Sequence, residues 1–465
     1  MTTPIVVPVD QWRERVRHGI AGGARFSALY GADDGDVRCV LTSADGTATV
    51  LRSPAGGGID SIVDLIPAAG WAEREAHDLY RFDFGGHEPL RPLVRHAGDW
   101  RVPVSGEGVH EIAVGPIHAG IIESGHFRIH AVGELMLLID MRMFYKYRGL
   151  QRAAQGRTLA EGSAYVQRAC AGCAVANTLA YTLAIEQILG VEPAAEQIRV
   201  RTILLELERL WNHLNDLSAM CAGIGFAVGT MAFAGLKERA QRLNHRLFGH
   251  RFLFDTVSGR PGAISPTMAT DLRDTVTLLA ADLQVAWRVV LFNASVQERL
   301  RGTGILDREV AASGGAVGPV ARASGVQGDV RTTSAMLAYQ GFEPVVLEQA
   351  VGDVAARAQV RYQELLATLD LLERLVDPTF SWTGGRPVEH YTESGDGVAV
   401  GRVESARGET VCCVESTGGV IDRVHLRTSS YANWPLVGAA AAGNLVGEFP
   451  IINKSFELCY ACVDR

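Results

Sequence analysis

The chain has 465 residues, 47% of them hydrophobic and 21% charged, with a formal net charge of −8. At about 150 residues per domain that length makes roughly three domains, or two large ones, each with a sizeable core. The acidic balance gives no electrostatic footprint for nucleic acid, and eight cysteines in this length are too sparse for a disulfide scaffold.

The N-terminus, MTTPIVVPVDQWRERVRHG, has no charged leader followed by an apolar stretch and a small-residue cleavage site, so it does not read as a secretory signal. A helix is predicted at about residues 9–20. Two β-type runs follow, RFSALYGADD and VRCVLTSADGTATVLRS, punctuated by the turn formers Ala-Asp-Asp-Gly-Asp and Ser-Ala-Asp-Gly-Thr. An apolar stretch at Gly58–Ala69 and a charged, aromatic one at Trp71–His96 complete a compact α+β unit, with a linker around His96–Gly108. From about residue 130 helical periodicity dominates, and helices are predicted over 130–149, 159–190, 195–217, 230–255, 266–299, 332–340 and 345–376. Strands return after Pro378, with a hairpin turn at Gly418-Gly419. The uncharged segment Leu217–Leu236 has about the length of a membrane span. It is nearly half Gly and Ala and continues an amphipathic helix, so it reads as a buried, closely packed segment.

Four of the cysteines form two Cys-x-x-Cys pairs, Cys170/Cys173 and Cys459/Cys462. Within a helical run the i, i+3 spacing of Cys170 and Cys173 turns both sulfurs to one face, and the second pair repeats the spacing. Two thiolate pairs make a four-sulfur site suited to zinc, iron–sulfur clusters or other thiophilic metals, whereas one such pair alone is as often two buried thiols. A structural zinc site usually has its pairs within about 15–20 residues of each other. Here almost the whole helical region lies between them, which fits a large domain folding around a central metal. Neither pair has the βαβ context of thioredoxin-like exchange. Cys412 and Cys413 are adjacent in a predicted strand and face opposite sides, so with Cys39 and Cys221 they read as packed thiols.

Further blocks surround these pairs. EREAHDLYRFDFGGHEPLRPL (Glu73–Leu93) is similar to the signature of the small peripheral-arm subunit of respiratory complex I, and VGPIHAGIIESGHFRIH to a Gly-Pro-x-His opening of a following large domain. LLELERLWNHLNDLSAMC, GPVARASGVQGDVR, ESARGE, RTSSYANWP and FPIINKSFELCYACVDR follow in family order. Together they resemble a nickel–iron hydrogenase large subunit of the energy-converting, formate hydrogenlyase-like branch, which is homologous to the quinone-site subunit of complex I. The fold so implied is an α+β N-terminal domain at 1–105, like the small complex I peripheral-arm subunit. A large, mainly α-helical hydrogenase-like domain with a small β portion would follow at 106–465.

The same resemblance implies that Cys170, Cys173, Cys459 and Cys462 ligate nickel, with Cys173 and Cys462 bridging to an iron that carries CO and cyanide. Glu123 matches a residue that passes protons to the site, and Arg407 one that donates hydrogen bonds to a cyanide ligand. Read without the family, Glu123 is a surface turn residue and Arg407 a salt-bridged strand-end arginine. His126, His130 and His213 have no such match and read as satisfied interior histidines. No iron–sulfur ligand set remains on this chain. Electrons would therefore leave through an iron–sulfur small subunit resembling the complex I cluster subunit. Membrane antiporter-like subunits and maturation proteins are the other implied partners, with attachment to the cytoplasmic face of the inner membrane.

Two other readings stay open. One is a complex I-like subunit forming a quinone site without nickel, in which His118 lies at the head-group; complex I relatives lack the paired cysteines. The other is a non-catalytic subunit whose four thiols hold zinc. Three departures from the family pattern cluster near the thiols: Ala171 stands for Gly, Asn177 for a histidine, and Glu457-Leu458 for Asp-Pro. An asparagine can hydrogen-bond a sulfur but cannot titrate.

Overall fold

A computed structural model describes residues 2–96, 101–118, 123–257, 263–334, 337–377 and 395–465. The first strands are β1 (Ile5–Val6), β2 (Arg25–Gly31), β3 (Val37–Thr42) and β4 (Ala48–Ser53), in the sheet order β1-β4-β3-β2. Their two hairpin turns form where the Asp-rich turn formers stand: Asp34 and Asp45 accept backbone N–H bonds from Asp36 and Thr47 at 3.0 and 2.9 Å. α1 (Trp12–Ala21) supplies the predicted first helix. β5 (Gly58–Asp60) and β6 (Asp83–Gly85) pair in parallel around α2 (Gly70–Tyr80). Every residue of β3 is buried because the strand faces two cores. Val37, Cys39 and Leu41 pack towards α1 and α2, while Val40 joins Val400, Val411 and Cys413 on the other side. The linker expected at His96–Gly108 includes residues 97–100, which lie outside the described ones.

The helix expected over 130–149 is instead part of an antiparallel sheet of β7 (Val109–Val114), β8 (His126–Val132) and β9 (Leu135–Arg142). Gly133, at φ 57°, turns the chain between β8 and β9. Phe127, Ile129 and Ala131 are buried at period two, a pattern masked by the dense apolar run of β9.

The helical region holds α3 (Leu150–Ala154), α4 (Leu159–Gln167), α5 (Ala174–Leu189), α6 (Ala195–Gly223) and α7 (Ala227–Phe248). It continues with α8 (Pro266–Leu291), α9 (Ala294–Leu300), α10 (Arg308–Ser313), α11 (Gly318–Ala323) and α12 (Val354–Leu375). The single helix expected at 159–190 is broken around Cys170, and that expected at 266–299 breaks at Phe292-Asn293. No helix spans 332–340; residues 335 and 336 of that stretch lie outside the described ones. The segment Leu217–Leu236 forms the corner between α6 and α7. A Cβ on Gly229 would sit 2.7 Å from the Cys221 sulfur, so the corner is tightly packed. It is not buried throughout, since Val228 and Met231 are 63% and 72% exposed on its outer side. Among the described residues no single helix is long and apolar enough to cross a membrane, although the bent pair α8–α9 meets that test on length and composition alone.

β10 (Gly397–Ser405), β11 (Gly408–Thr417) and β12 (Val420–Arg427) form the last sheet, followed by α13 (Ser429–Ala441) and α14 (Phe449–Phe456). Gly418 and Gly419 make the expected turn, both with positive φ, as a two-residue hairpin requires. Cys412 and Cys413 face opposite cores, as their adjacency in a strand demands. α5 lies directly on β10, so closely that a Cβ at Gly401 would fall 1.9 Å from the Ala180 carbonyl oxygen.

His425 of β12 stacks on Tyr30 of β2 at 4.6 Å and 15°. Burial, then the charges of Arg465, Arg423 and Arg427, hold its imidazole well below its usual 6.5. The folded protein therefore keeps His425 neutral, while the unfolded chain protonates it as pH falls past about 6.5. Stability is complete above that pH and should fall below it, this residue contributing up to about 1.4 kcal/mol per pH unit. In urea unfolding between about pH 5 and 7.5, His425→Phe should flatten the acid limb by that one-proton share; parallel slopes would refute the account.

Candidate metal centre

Each cysteine pair sits where a helix begins or ends. Cys170 has extended backbone (φ −161°), Ala171–Cys173 form one 3₁₀ turn, and α5 starts at Ala174. The pair therefore lies on the approach to a helix N-terminus and not on the face of one continuous helix, as its spacing had implied. Its shape is held by α6. The Glu208 carboxylate accepts from the N–H groups of Val175 and Ala176 at 2.6 and 3.0 Å, capping α5. Asn212 donates to the Gly172 carbonyl at 2.8 Å, and the Gly172 N–H donates to the Cys170 sulfur at 3.2 Å. Burial pushes the Glu208 carboxyl up to about 8 despite those two backbone donors.

The second pair follows α14, which ends at Glu457 in the left-handed region. The Cys459 N–H donates to Ser430 Oγ at 3.0 Å, Trp434 Nε1 to the Cys459 carbonyl at 3.3 Å, and Thr428 Oγ1 to the Cys462 carbonyl at 3.1 Å. All three partners belong to the start of α13 or to the residue before it.

These supports bring all four thiols together from two segments, Cys170 and Cys459 being 289 residues apart in sequence. The Cys170 and Cys459 sulfurs lie 3.0 Å apart, and those of Cys170, Cys459 and Cys462 are all within 4.8 Å of one another. Cys173 completes the group through hydrogen-bonding contact with Cys170 and Cys462, and the four pack with Ala461 as a small cluster of their own. Thiol hydrogen bonds from Cys170 and Cys462 pull Cys173 down to about 6 against its burial, helped by the charge of Arg407. The hydrogen bond with Cys170 foremost pushes Cys459 up to about 12, and Cys462 is raised by all three neighbours. So many sulfurs in one buried space cannot all ionise without a cation among them. An all-sulfur donor set of this kind fits a thiophilic metal. Cys39, Cys221, Cys412 and Cys413 are free, buried and packed elsewhere.

Arg407 stands at the tip of the β10–β11 hairpin. Gly408 (φ 118°) and Gly318 (φ 64°) touch backbone to backbone behind it, where a Cβ on either would come within 2.5 Å of the other strand of chain. The guanidinium donates to the Glu457 carbonyl, to Asn212 Oδ1 at 2.7 Å and to Asp216 Oδ1 at 3.1 Å. Asp216 also receives Arg361 Nε at 3.1 Å. His213, at the centre of this region, contacts Glu364 at 2.7 Å through Nε2. Glu364 in turn receives Arg322 Nε at 2.8 Å, and Arg322 also pairs with Glu404 and Asp329 at 3.0 and 3.2 Å. Glu206 binds Arg209, Tyr339 and Thr368 at 3.1, 2.7 and 2.8 Å. All these charges are buried. The roles of Glu208, Asn212 and Asp216 were missed from sequence, because polar and charged residues at helical spacing ordinarily mark a solvated face.

Glu123 is partly buried and its Oε2 has no hydrogen-bond partner among the described residues. Burial, with the nearby Glu123 charge adding, raises Asp464 to about 6. His118 places Nε2 2.7 Å from the Gly125 carbonyl oxygen and its ring 6.1 Å from that of Tyr460, between the second pair of cysteines. Residues 119–122 of the same block lie outside the described ones. Asn177 is fully buried one helical turn beyond Cys173, with neither amide atom partnered among the described residues.

Asp216 is shared by two buried guanidinium groups, and removing one member of such a pair costs about 3–5 kcal/mol. Asp216→Asn should therefore lower unfolding free energy in urea by about that amount; a loss below about 1 kcal/mol would show the carboxylate is not what holds Arg407.

Family models match two parts of the chain. Residues 12–107 match the 30 kDa subunit of respiratory-chain NADH dehydrogenase and residues 224–384 its 49 kDa subunit. Formate hydrogenlyase subunit 5 of Escherichia coli is 29% identical over 439 residues, covering 87% of this chain and 76% of that protein. The C/D subunit of NADH-quinone oxidoreductase from Phocaeicola vulgatus is 28% identical over 404 residues, covering 77% and 78%. Among solved structures, a chain of the membrane-bound sulfane sulfur reductase, an archaeal respiratory membrane complex, aligns with a TM-score of 0.70 and 26% identity. It covers 78% of this chain and 100% of that one.

Proposed function

This chain belongs to the family that unites formate hydrogenlyase-type hydrogenase subunits with the 30 and 49 kDa subunits of respiratory NADH dehydrogenase, and we propose that it is the catalytic large subunit of a membrane-associated nickel–iron hydrogenase. It is an oxidoreductase subunit of the kind found in hydrogenase and NADH-quinone oxidoreductase complexes. The reaction proposed is the interconversion of H2 with protons and electrons. One observation carries the reading: four thiols from two distant segments converge beside a fixed guanidinium.

Cys170, Cys173, Cys459 and Cys462 would hold nickel, with Cys173 and Cys462 shared with an iron carrying CO and cyanide. When bound, that centre supplies an open, electron-rich position for H2 beside a thiolate base. Arg407, oriented by Asp216 and Asn212, places a permanent positive charge against the thiols and favours their ionised form. Glu123 offers an Oε2 that has no partner among the described residues as the proton-carrying atom on this chain. Phe127 packs against the rings of Trp434, Phe449 and Tyr460, an apolar wall beside the second cysteine pair, of which Cys462 is buried and Cys459 half-buried. Electrons would pass to an iron–sulfur cluster on a small partner subunit. Antiporter-like membrane subunits would attach the pair to the cytoplasmic face of the inner membrane, and maturation proteins would load the metals.

A complex I-like quinone-site protein is the second reading, favoured by the likeness to the C/D subunits of NADH-quinone oxidoreductases and by the place of His118 beside Tyr460. Metal analysis and infrared spectroscopy of the purified complex separate the readings. Nickel with iron, and absorption bands of CO and cyanide, are expected; zinc alone would sink the hydrogenase reading, and a metal-free complex would favour the quinone one. Cys459→Ser should abolish H2-dependent dye reduction and strip the nickel. Unchanged activity would refute these ligand assignments.

A further inference from the structure

The supports described so far each hold one cysteine segment. Glu208 and Asn212 hold the first, and Ser430, Thr428 and Trp434 hold the second. Arg148, in the loop between β9 and α3, touches both. Its Nη1 donates to the Arg168 carbonyl at 3.0 Å and its Nη2 to the Ala169 carbonyl at 2.6 Å, immediately before Cys170. The same Nη2 donates at 2.7 Å to the carbonyl of Ala461, between Cys459 and Cys462. The Arg148 N–H and Nε both reach the Asp464 carbonyl, at 3.0 and 3.3 Å. A planar guanidinium with donors in a fixed fork suits this task, and an ammonium on a flexible stem does not.

We propose that Arg148 is a positioning residue that sets the separation between the two thiol pairs by clamping the backbone beside Cys170 to the backbone beside Cys462. The proposal rests on the reading that both pairs form one site, whatever metal that site takes. Arg148 is exposed as a residue and fills no core. Its substitution therefore leaves the apolar packing of the fold intact, and what it removes is the register between two chain segments. Charge-assisted donation to four backbone carbonyls across that gap is hidden in the sequence, because the stretch around Arg148 reads there as the end of a helix.

The test needs no nickel. The full-length chain is prepared metal-free and reduced, then treated briefly with diamide, which takes two electrons and two protons from a pair of thiols as the disulfide forms. Peptide mapping by mass spectrometry then gives the ratio of the cross-segment product, Cys170–Cys459, to the within-pair products. At 3.0 Å between sulfurs the wild-type chain should favour the cross-segment product. Arg148→Gln should lower the ratio about tenfold, the scale expected for losing charge-assisted hydrogen bonds. Arg148→Lys, which keeps the charge but not the fork, should fall nearly as far, and Arg152→Gln on neighbouring α3 should match wild type. A general loss of stability would also lower the ratio, because a Cys-x-x-Cys loop closes far more readily than one of 289 residues. The oxidation is therefore run where urea unfolding shows wild type and all variants equally folded, and a fall in the ratio that disappears under that match counts against the clamp. Unchanged ratios in both Arg148 variants overturn the proposal, and should the glutamine variant fail to fold, the lysine variant decides it. A wild-type chain that forms no cross-segment disulfide overturns the single-site reading and the clamp with it. Zinc found in the purified complex would sink the nickel reading and leave the clamp standing.

Discussion

The constraint on which the rest of the structure depends is the buried charge of α6. This helix of 29 residues carries the ionised groups Glu206, Arg209 and Asp216 and the ionisable Glu208 and His213 with essentially no exposure to water. Charged and polar groups taken out of water must be paired or hydrogen-bonded, so several elements packed on this helix have to deliver partners to it. α12 delivers Arg361 to Asp216 and Glu364 to His213, the stretch after α11 delivers Arg331 to Glu206, and the β10–β11 hairpin delivers Arg407 to Asp216. Arg322 ties Glu364 to Asp329 and Glu404 around them. Such a network contributes little net stability compared with apolar packing. Its effect is on arrangement, because a misplaced element would leave a buried charge without a partner.

That arrangement fixes the thiol site at second hand. Glu208 and Asn212 shape the first cysteine turn, while Asp216 orients the guanidinium that faces the sulfurs, all three from successive turns of one helix. The site is therefore built from the rigid interior outward, and its four sulfurs sit at chain turns that the helices around them hold still. A preorganised donor set of this kind loses less on binding a metal than four thiols drawn from loose loops.

Much of this was legible in the sequence and some was not, for identifiable reasons. Paired spacing singled out Cys170, Cys173, Cys459 and Cys462, which come together in one cluster, and adjacency in a strand set Cys412 and Cys413 apart on opposite faces. The Gly418-Gly419 dipeptide between two strand patterns announced its turn, and both residues take positive φ there. The hairpin of β8 and β9 was not legible as such, because the apolar density of Leu135–Met141 imitates a buried helix and only Gly133 betrays the turn. The helical face assigned to Cys170 and Cys173 failed because capping by Glu208, a residue far along the chain, decides where α5 begins. The partners of α6 were hidden for a related reason: charge on a helix reads as solvent-facing until the tertiary structure shows what covers it.

The departures near the thiols also have a structural sense. Glu457 closes α14 at φ 46° and ψ 51°, a left-handed conformation that a non-glycine residue adopts only when its surroundings hold it there. A proline at position 458, as in the family pattern, would push residue 457 out of the helical regions and towards extended backbone. With Leu458 in its place, Glu457 can end the helix as it does and turn its carbonyl oxygen onto Nε of Arg407. That carbonyl is one of three acceptors that orient the guanidinium, the others being Asn212 and Asp216. The Glu457-Leu458 substitution thus belongs with the orientation of Arg407. It couples the approach to the second cysteine pair to the same residue that Asp216 ties to α6.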